Sequence, residues 1–192
     1  EYDGIMNYSI TKACLDYLVY DVFDAQAMAD RLSHILMRNT DQANNMMLNL
    51  LDSHDTERFL TLAKKNGKDE RSLLCSLAIM FFLPGMPCIY YGTEIGMEGG
   101  YDPDCRRTFD WNRKNWNMRV YATVINLIRL RKCIKGDVTY SAENGILLIG
   151  RGDLILAVNN GTEKRRTKIL HKEYEIGPFE FIIINIKEGE VL

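Results

Sequence analysis

The sequence predicts an α/β segment followed by an all-β module. Up to about residue 133, short apolar runs alternate with longer stretches whose apolar residues recur at helical spacing. From about residue 137 that spacing ends, and short apolar runs separated by glycine and asparagine turns take its place. The 192 residues are enough for one large domain or two small ones. We therefore divide the chain into residues 1–134 and residues 135–192.

The first segment begins with two predicted strands separated by a helix. Tyr2–Asn7 is a short strand candidate. Gln26–Asn39 carries its apolar residues on one helix face, and Asp24 is the expected N-cap. Met46–Leu51 is an almost continuous apolar run of strand length, which is typical of a strand buried on both faces in a parallel sheet.

A second helix, a third strand and a long loop follow. Asp69–Leu83 is almost wholly apolar after its charged first turn and ends at a Pro-Gly pair, which predicts a helix with a firm stop. Pro87–Tyr91 is a buried strand candidate, and a helix is expected over Lys114–Cys133. The loop over residues 93–117 is of a length that usually serves function. Three parallel strands joined in this way fit a doubly wound sheet or a barrel.

The second segment is predicted to be an antiparallel sandwich. The strand candidates are Ile146–Ile149, Leu154–Val158, Arg165–Leu170 and Phe179–Ile186. Leu154–Val158 is apolar throughout and Phe179–Ile186 is largely apolar, so we expect both to be central and covered, because exposed apolar edges promote aggregation.

Composition excludes several classes of partner. Lys and Arg number 24 against 26 Asp and Glu, so the chain has no basic excess with which to neutralise nucleic acid or an anionic membrane surface. The longest apolar runs fall well short of the ~20 residues that span a bilayer. The five cysteines are odd in number and include no C-x-x-C pair, which indicates free thiols in the cytoplasm and neither a disulfide framework nor a zinc site. No cofactor or metal is expected.

Ionisable residues follow the second strand directly. Asp52, His54, Asp55 and Arg58 come after the apolar run, at the kind of strand end where parallel α/β proteins bind ligands. Such groups can bind a polar substrate and stabilise developing charge. The equally weighted alternative is that Asp52 or Ser53 caps the next helix and His54 makes a buried hydrogen bond. Ser, His and Asp as immediate neighbours do not form a hydrolase triad, whose members converge from separate positions.

Two later segments are less specific by themselves. Met86–Met97 is a strand followed by Gly and Glu94, and it lacks the helix and lysine of a phosphate loop, so we interpret Glu94 as a structural carboxylate. Asp102–Arg107 is either a solvated charged turn or the lining of a polar groove.

Together these segments resemble the α-amylase superfamily of glycoside hydrolases. Leu50–Phe59 is similar to its fourth signature region, Met86–Met97 to its eighth barrel strand, and Gly99–Arg107 to the loop after that strand. Tyr2–Tyr8 is similar to the sixth strand. The neopullulanase, cyclomaltodextrinase and maltogenic amylase branch is the most similar one.

The resemblance implies a fold and a mechanism. The fold would be strands 6 to 8 of a (β/α)8 barrel followed by a C-terminal β-sandwich. The chemistry would be retaining cleavage of α-glucosidic bonds, with an α-glucan as partner and with Asp55 as the transition-state-stabilising carboxylate. The substrate-binding residues implied are His54, Arg58, Tyr101, Asp102 and Arg106.

The departures from the family pattern are equally informative. No segment of this sequence matches the motifs that carry the nucleophile and the general acid, Thr93 stands where the branch usually has Asp, and Glu57 stands where Pro is common. We therefore expect the C-terminal part of an enzyme acting on cyclomaltodextrins, pullulan or maltooligosaccharides, inactive alone and associating with itself or with the missing barrel half. The alternatives are a non-catalytic carbohydrate-binding or structural protein derived from this fold, and an interaction module whose polar strand ends are only caps.

Overall fold

The computed structural model describes residues 4–192. Two short parallel strands and most of the helices occupy the first two-thirds of the chain, and antiparallel strands occupy the rest. In the described residues the α-helices are α1 (Tyr8–Leu18), α2 (Ala25–Met37), α3 (Asp41–Met46), α4 (Phe59–Lys65), α5 (Glu70–Phe82) and α6 (Met118–Arg131). None of these helices is both long enough and apolar enough to cross a bilayer.

The parallel strands are β1 (Leu48–Leu50) and β2 (Met86–Cys88), with Leu48 opposite Met86. On the other side of β1, Met6 forms an isolated parallel bridge with Leu48. Residues 2 and 3 of the predicted strand Tyr2–Asn7 lie outside the described part of the chain, and within residues 4–7 Met6 alone forms a bridge. The predicted strands over residues 46–51 and 87–91 are present in shorter form.

Local capping explains where several helices begin. Asp24 accepts a hydrogen bond from the Ala27 N–H at 2.8 Å, as predicted for the start of α2. Thr40 accepts from the Ala43 N–H at 3.3 Å and begins α3, so Met46 ends a helix and does not begin the strand. Asn117 caps α6, which therefore begins later than the predicted Lys114.

Three helices, α1, α3 and α4, were not predicted from the sequence. The N-cap residue of α1 makes no side-chain cap bond, and seven of its 11 residues are buried, so it shows no narrow apolar stripe. At the start of α4 the Phe59 N–H donates to the side chain of Asp52, seven residues earlier. A cap supplied from that distance leaves no local signature in the sequence.

The C-terminal part contains a five-stranded antiparallel sheet and a separate two-stranded hairpin. The sheet has the order β3 (Val138–Glu143), β4 (Ile146–Arg151), β5 (Leu154–Asn159), β8 (Glu180–Asn185) and β9 (Glu190–Val191). The hairpin pairs β6 (Arg165–Ile169) with β7 (Lys172–Ile176). β5 lies between β4 and β8, and β8 lies between β5 and the short β9, so the predicted inner position of both apolar strands is confirmed.

Alternate residues of this sheet pack in opposite directions. One face joins the hydrophobic cluster that contains the helices, and it includes Leu147, Ile149, Leu156, Val158 and Ile183. The other face packs with Ile169, Tyr174 and Ile176 of the hairpin, and it includes Ile146, Ala157 and Ile184. Both faces of the sheet are covered, so the inner strands carry apolar residues on both sides. This explains why β5 and the centre of β8 do not alternate between polar and apolar residues.

Two arginines, the half-buried Arg131 and the buried Arg151, join the helical part to the sheet at the end of α5. The last carbonyls of a helix lack intrahelical donors. Arg131 Nη1 donates to the Leu83 carbonyl at 2.8 Å, and Arg151 Nη1 donates to the carbonyls of Phe82 and Leu83 at 3.1 and 2.8 Å. Arg151 Nε also donates to the Gly136 carbonyl at 3.2 Å. Burial, together with the neighbouring Arg151, lowers the pKa of Arg131 to about 10.

We predict that Arg151→Met lowers the free energy of unfolding by about 2–4 kcal/mol, because it leaves the buried Phe82 carbonyl without its side-chain donor and removes one of the two donors to Leu83. Urea denaturation followed by circular dichroism measures this change. Arg166→Met is the matched control, since Arg166 is exposed and pairs only with Glu175. Its effect should stay within about 0.5 kcal/mol. Equal stability of the two variants would contradict the assigned role of Arg151.

Candidate functional site

The loops that follow β1 and β2 meet at one edge of the molecule. The strands are parallel neighbours, so their carboxyl ends lie side by side. The Arg58 N–H donates to the Gly99 carbonyl at 2.9 Å, and the Thr93 hydroxyl donates to Asp52 Oδ2 at 2.6 Å. These bonds fix the first loop against the second.

Asp52 is a buried carboxylate between the two loops. Its other oxygen, Oδ1, accepts from the Phe59 N–H at the start of α4. Burial raises the pKa of Asp52, and the donors Thr93 and Phe59, together with the nearby charge of Arg58, oppose that rise. This bond agrees with the alternative in which Asp52 caps the next helix. The buried hydrogen bond that the same alternative expected for His54 is wrong, because the His54 side chain is 56% exposed.

Arg58 lies behind the site and has no exposed surface. Its Nη1 donates to the Tyr91 carbonyl at 2.8 Å, and its guanidinium carbon lies 4.7 and 5.1 Å from the ring centroids of Tyr90 and Tyr91. In the described part of the chain no acceptor reaches its Nε or Nη2, so the two aromatic rings supply the remaining stabilisation. This burial argues against the predicted direct contact between Arg58 and substrate.

Four of the predicted site residues form an exposed cluster. His54 Nε2 lies 3.1 Å from Asp55 Oδ1, and Arg106 Nη2 lies 3.7 Å from the same oxygen. Arg106 Nε lies 2.7 Å from Asp102 Oδ1 and donates to the His54 carbonyl at 3.1 Å. The side chain of Asp55 is 61% exposed, so a ligand can reach its carboxylate. We call His54, Asp55, Asp102 and Arg106 the Asp55 cluster.

Tyr101, the remaining predicted residue, is 76% exposed on the loop after β2. Its ring centroid lies 5.9 Å from Lys65 Nζ. It precedes Asp102 in the chain, so it stands beside the Asp55 cluster as an exposed aromatic ring.

Three further residues shape the site and were not assigned to it from the sequence. Glu57 is buried and pairs with Lys65. Cys105 is buried, and its thiol donates to the His54 carbonyl at 3.1 Å. Asp104 accepts from the Gly100 N–H at 2.6 Å, and the Arg107 guanidinium and this N–H hold the pKa of Asp104 below its usual value. The charged run over residues 102–107 signalled a polar loop but not which of its side chains turn inward.

The chemistry available is that of polar recognition. Among residues 4–192 there is no group of three His, Cys, Asp or Glu side chains placed to hold a metal ion. The Asp55 cluster offers carboxylate acceptors, an imidazole and a guanidinium in one exposed patch. Such groups can bind the hydroxyls of a sugar, and the accessible carboxylate can stabilise positive charge that develops on the bound sugar.

Comparison with known proteins identifies the family. The model of the α-amylase catalytic domain matches residues 1–136. The chain belongs to the α-amylase family. The intracellular maltogenic amylase of Bacillus subtilis is 43% identical over 132 residues, which cover 69% of this chain and 22% of that protein. A cyclomaltodextrinase of Thermoanaerobacter pseudethanolicus is 35% identical over 181 residues, covering 90% of this chain and 31% of that one.

A solved α-amylase-family structure extends the similarity into the C-terminal sheet. The cyclic α-maltosyl-(1→6)-maltose hydrolase from Arthrobacter globiformis, in complex with maltose, superposes with a TM-score of 0.87 at 30% identity. The match covers 95% of this chain and 45% of that structure. The resemblance to the neopullulanase, cyclomaltodextrinase and maltogenic amylase branch is thus confirmed. The chain spans about a quarter of the length of the relatives matched by sequence.

We predict that Asp52 makes stability depend on pH. The folded-state pKa of Asp52 lies above its unfolded value of about 3.9, so above that pH the folded protein keeps a proton that the unfolded chain has lost. The free energy of unfolding therefore falls as the pH rises from the unfolded pKa towards the folded one. The unfolding free energy of the wild type should therefore fall relative to that of Asp52→Asn from about pH 4 upwards. Urea titrations across this range test the trend, with the exposed Asp30→Asn as control. A difference that does not change with pH would contradict it.

Proposed function

We propose that this chain supplies the transition-state-stabilising part of an active site that cleaves α-glucosidic bonds by a retaining mechanism. The observation that carries the proposal is the exposed Asp55 carboxylate, held between His54 and Arg106 on the loop after β1 of an α-amylase-family chain. The names of the relatives, maltogenic amylase and cyclomaltodextrinase, support maltooligosaccharides and cyclomaltodextrins as substrates. Pullulan belongs to the same proposed substrate class.

The proposed architecture is part of a (β/α)8 barrel followed by a β-sandwich. The Met6 bridge, β1 and β2 are adjacent, parallel and in chain order, which is the arrangement required of strands 6, 7 and 8 of such a barrel. Helices lie between them along the chain. The division into residues 1–134 and 135–192 belongs to this proposal.

A retaining glycosidase requires a nucleophile and a general acid whose carboxyl groups lie ~5–5.5 Å apart across the scissile bond. Asp55 takes neither role in this proposal. Its carboxylate accepts hydrogen bonds from sugar hydroxyls and stabilises the positive charge that develops on the ring in the oxocarbenium-like transition state. The nucleophile and the acid come from another part of the barrel.

The neighbours of Asp55 have separate tasks. His54 and Arg106 both lie against Oδ1 of Asp55, and Arg106 also pairs with Asp102 on its own loop. These side chains keep free hydrogen-bonding capacity for sugar hydroxyls, and Tyr101 adds an exposed ring beside them. Arg58 acts as a positioning residue, because it is buried and contacts the backbone and rings of the adjacent loop.

A cytoplasmic location fits these observations. The Bacillus subtilis relative is named as intracellular, and all five cysteines of this chain are free thiols. Free buried thiols such as Cys14 and Cys75 are typical of proteins in a reducing compartment.

We predict that Asp55→Asn, in a full-length enzyme that contains this segment, lowers kcat/KM for a maltooligosaccharide by about 10²–10³-fold, because a neutral amide stabilises the developing charge poorly. Steady-state kinetics measures this loss. Asp153→Asn is the matched control, since Asp153 is exposed, pairs with Lys187 and lies in the C-terminal sheet. Activity of Asp55→Asn within about twofold of the wild type would remove Asp55 from the catalytic set.

We also predict that the 192-residue chain alone does not hydrolyse α-glucans, because Asp55 cannot serve as acid, nucleophile and stabiliser at once. The purified chain, with its folding verified by circular dichroism, is incubated with maltohexaose and a cyclomaltodextrin, and reducing ends are counted. Turnover that disappears in Asp55→Ala would overturn this prediction.

Association is expected because of the unpaired strand edges. Ile5, Met6 and Met86, which lie at or next to the parallel strands, are exposed. Exposed apolar strand edges favour pairing with another chain or with a complementary barrel segment. Light scattering on the same sample tests for homo-oligomers, and a stable monomer would contradict self-association without affecting the assignment of Asp55.

A further inference from the structure

Helix α4 holds the beginning of the loop that follows β2. The Thr61 hydroxyl accepts from the Gly99 N–H at 2.8 Å, and Lys64 Nζ donates to Glu98 Oε1 at 2.6 Å. Just before the helix, the Arg58 N–H donates to the Gly99 carbonyl at 2.9 Å. These bonds fix the loop to the helix up to residue 99.

The next part of the loop lies against a buried carboxylate, Glu57. Glu57 is 7% exposed and pairs with the exposed Lys65, the last residue of α4. A Cβ placed on Gly100 would lie 3.5 Å from Glu57 Oε1, so this oxygen is close to the backbone of the loop. Removing one partner of a buried ion pair leaves a charge without compensation. The position of the Glu57 carboxylate therefore depends on Lys65.

The ammonium group of Lys65 also lies close to the exposed side of the loop. It is 5.9 Å from the ring centroid of Tyr101, which is within reach of a cation–π interaction. The hydrogen bond to Glu57 raises the pKa of Lys65, and the nearby Glu57, Tyr101 and Asp104 add to that rise. Lys65 therefore stays protonated at neutral pH and holds the loop from below.

Two residues assigned to substrate binding follow directly on this part of the loop. Tyr101 comes first, and Asp102 Oδ1 then lies 2.7 Å from Arg106 Nε. Arg106 Nη2 in turn lies 3.7 Å from Asp55 Oδ1. Asp55 belongs to the other loop, so a shift at Gly100 would change where Tyr101 and Asp102 stand relative to Asp55.

We propose that Glu57 and Lys65 are positioning residues that set the affinity of this site for its α-glucan. Neither touches the substrate. Together they hold Tyr101 and Asp102 at the distance from Asp55 at which all three can contact one sugar chain. The inference rests on the proposed function, since it takes these three residues as contacts of the substrate. Because the pair acts on binding residues and not on the reacting atoms, its loss should raise KM and leave kcat nearly unchanged.

The first test measures steady-state kinetics on maltohexaose in a full-length enzyme that contains this segment. Lys65→Met should raise KM about five- to tenfold and leave kcat within about twofold. Lys65→Arg keeps the cation and should stay within about twofold of the wild type in both constants. Lys164→Met is the matched control, since Lys164 is exposed and pairs with Glu175 on the hairpin. An unchanged KM in folded Lys65→Met, or an equal effect of Lys65→Arg and Lys65→Met, would overturn the proposal.

A double-variant cycle tests whether the two residues act as a unit. Glu57→Gln keeps the shape of the side chain and should raise KM as Lys65→Met does, so it also serves as the test if Lys65→Met does not fold. The double variant should bind no more weakly than either single variant, because each single change already breaks the pair. Effects on KM that simply multiply would show independent roles and contradict the proposal.

A second measurement, on the 192-residue chain, does not depend on catalysis. In a ¹H–¹⁵N spectrum Lys65→Met should shift the amide signal of Gly100 and speed its hydrogen exchange, although its N–H is bonded to Asp104. The Gly99 N–H, which Thr61 holds, should stay protected.

The two readouts separate this inference from the proposed function. If the Gly100 signal changes while KM does not, the pair holds the loop but not the substrate, so the inference is wrong and the role of Asp55 stands. If Lys65→Met raises KM while Asp55→Asn leaves turnover unchanged, the proposed function is wrong and the positioning role stands. A fall in kcat at constant KM in Lys65→Met would also overturn the inference.

Discussion

The buried carboxylate of Asp52 joins the two loops on which the site depends. One of its oxygens receives the first free N–H of α4, and the other receives the hydroxyl of Thr93 after β2. The loop between Asp52 and Phe59 is thereby closed at both ends, and His54 and Asp55 project from it into solvent. Because burial of a carboxylate is costly unless its oxygens are hydrogen-bonded, both donors are needed for this arrangement. The exposed Asp55 cluster is built on this buried frame.

The buried residues of these loops stabilise the fold, and the exposed Asp55 cluster is available to a ligand. Asp52, Glu57 and Arg58 are buried and make contacts within the protein, while His54, Asp55, Asp102 and Arg106 keep exposed polar atoms. Within residues 52–58 of the first loop, the buried Asp52, Glu57 and Arg58 stand on either side of the exposed His54 and Asp55. Neighbouring side chains of this loop therefore stabilise the fold or face the solvent. Substitution of Asp52, Glu57 or Arg58 would shift the exposed side chains indirectly, by disturbing the loop that carries them. Substitution of an exposed side chain would leave the fold intact.

The sequence predicted those features that depend on local interactions. The N-cap of α2 and the apolar stretch of α5 depend on residues that are close together in the sequence. The inner position of β5 follows from its unbroken apolar run. Helix α4 itself was not predicted, because Asp52 stands seven residues before its first residue, although Asp52 was considered as a cap. Gathering of the Asp55 cluster was expected from the family resemblance. The burial of Arg58 was not, since the Tyr90 and Tyr91 rings that cover it belong to a different strand end.

The two arginines at the end of α5 have a consequence for how the molecule unfolds. The family match ends at residue 136, yet Arg131 and Arg151 bind neighbouring carbonyls from opposite sides of that point, and one hydrophobic cluster runs across it. We therefore do not expect the end of the family match to be a boundary of cooperativity. Backbone amides of α5 and of β5 should exchange with solvent through the same global opening, so that the helical segment and the sheet behave as a single foldon.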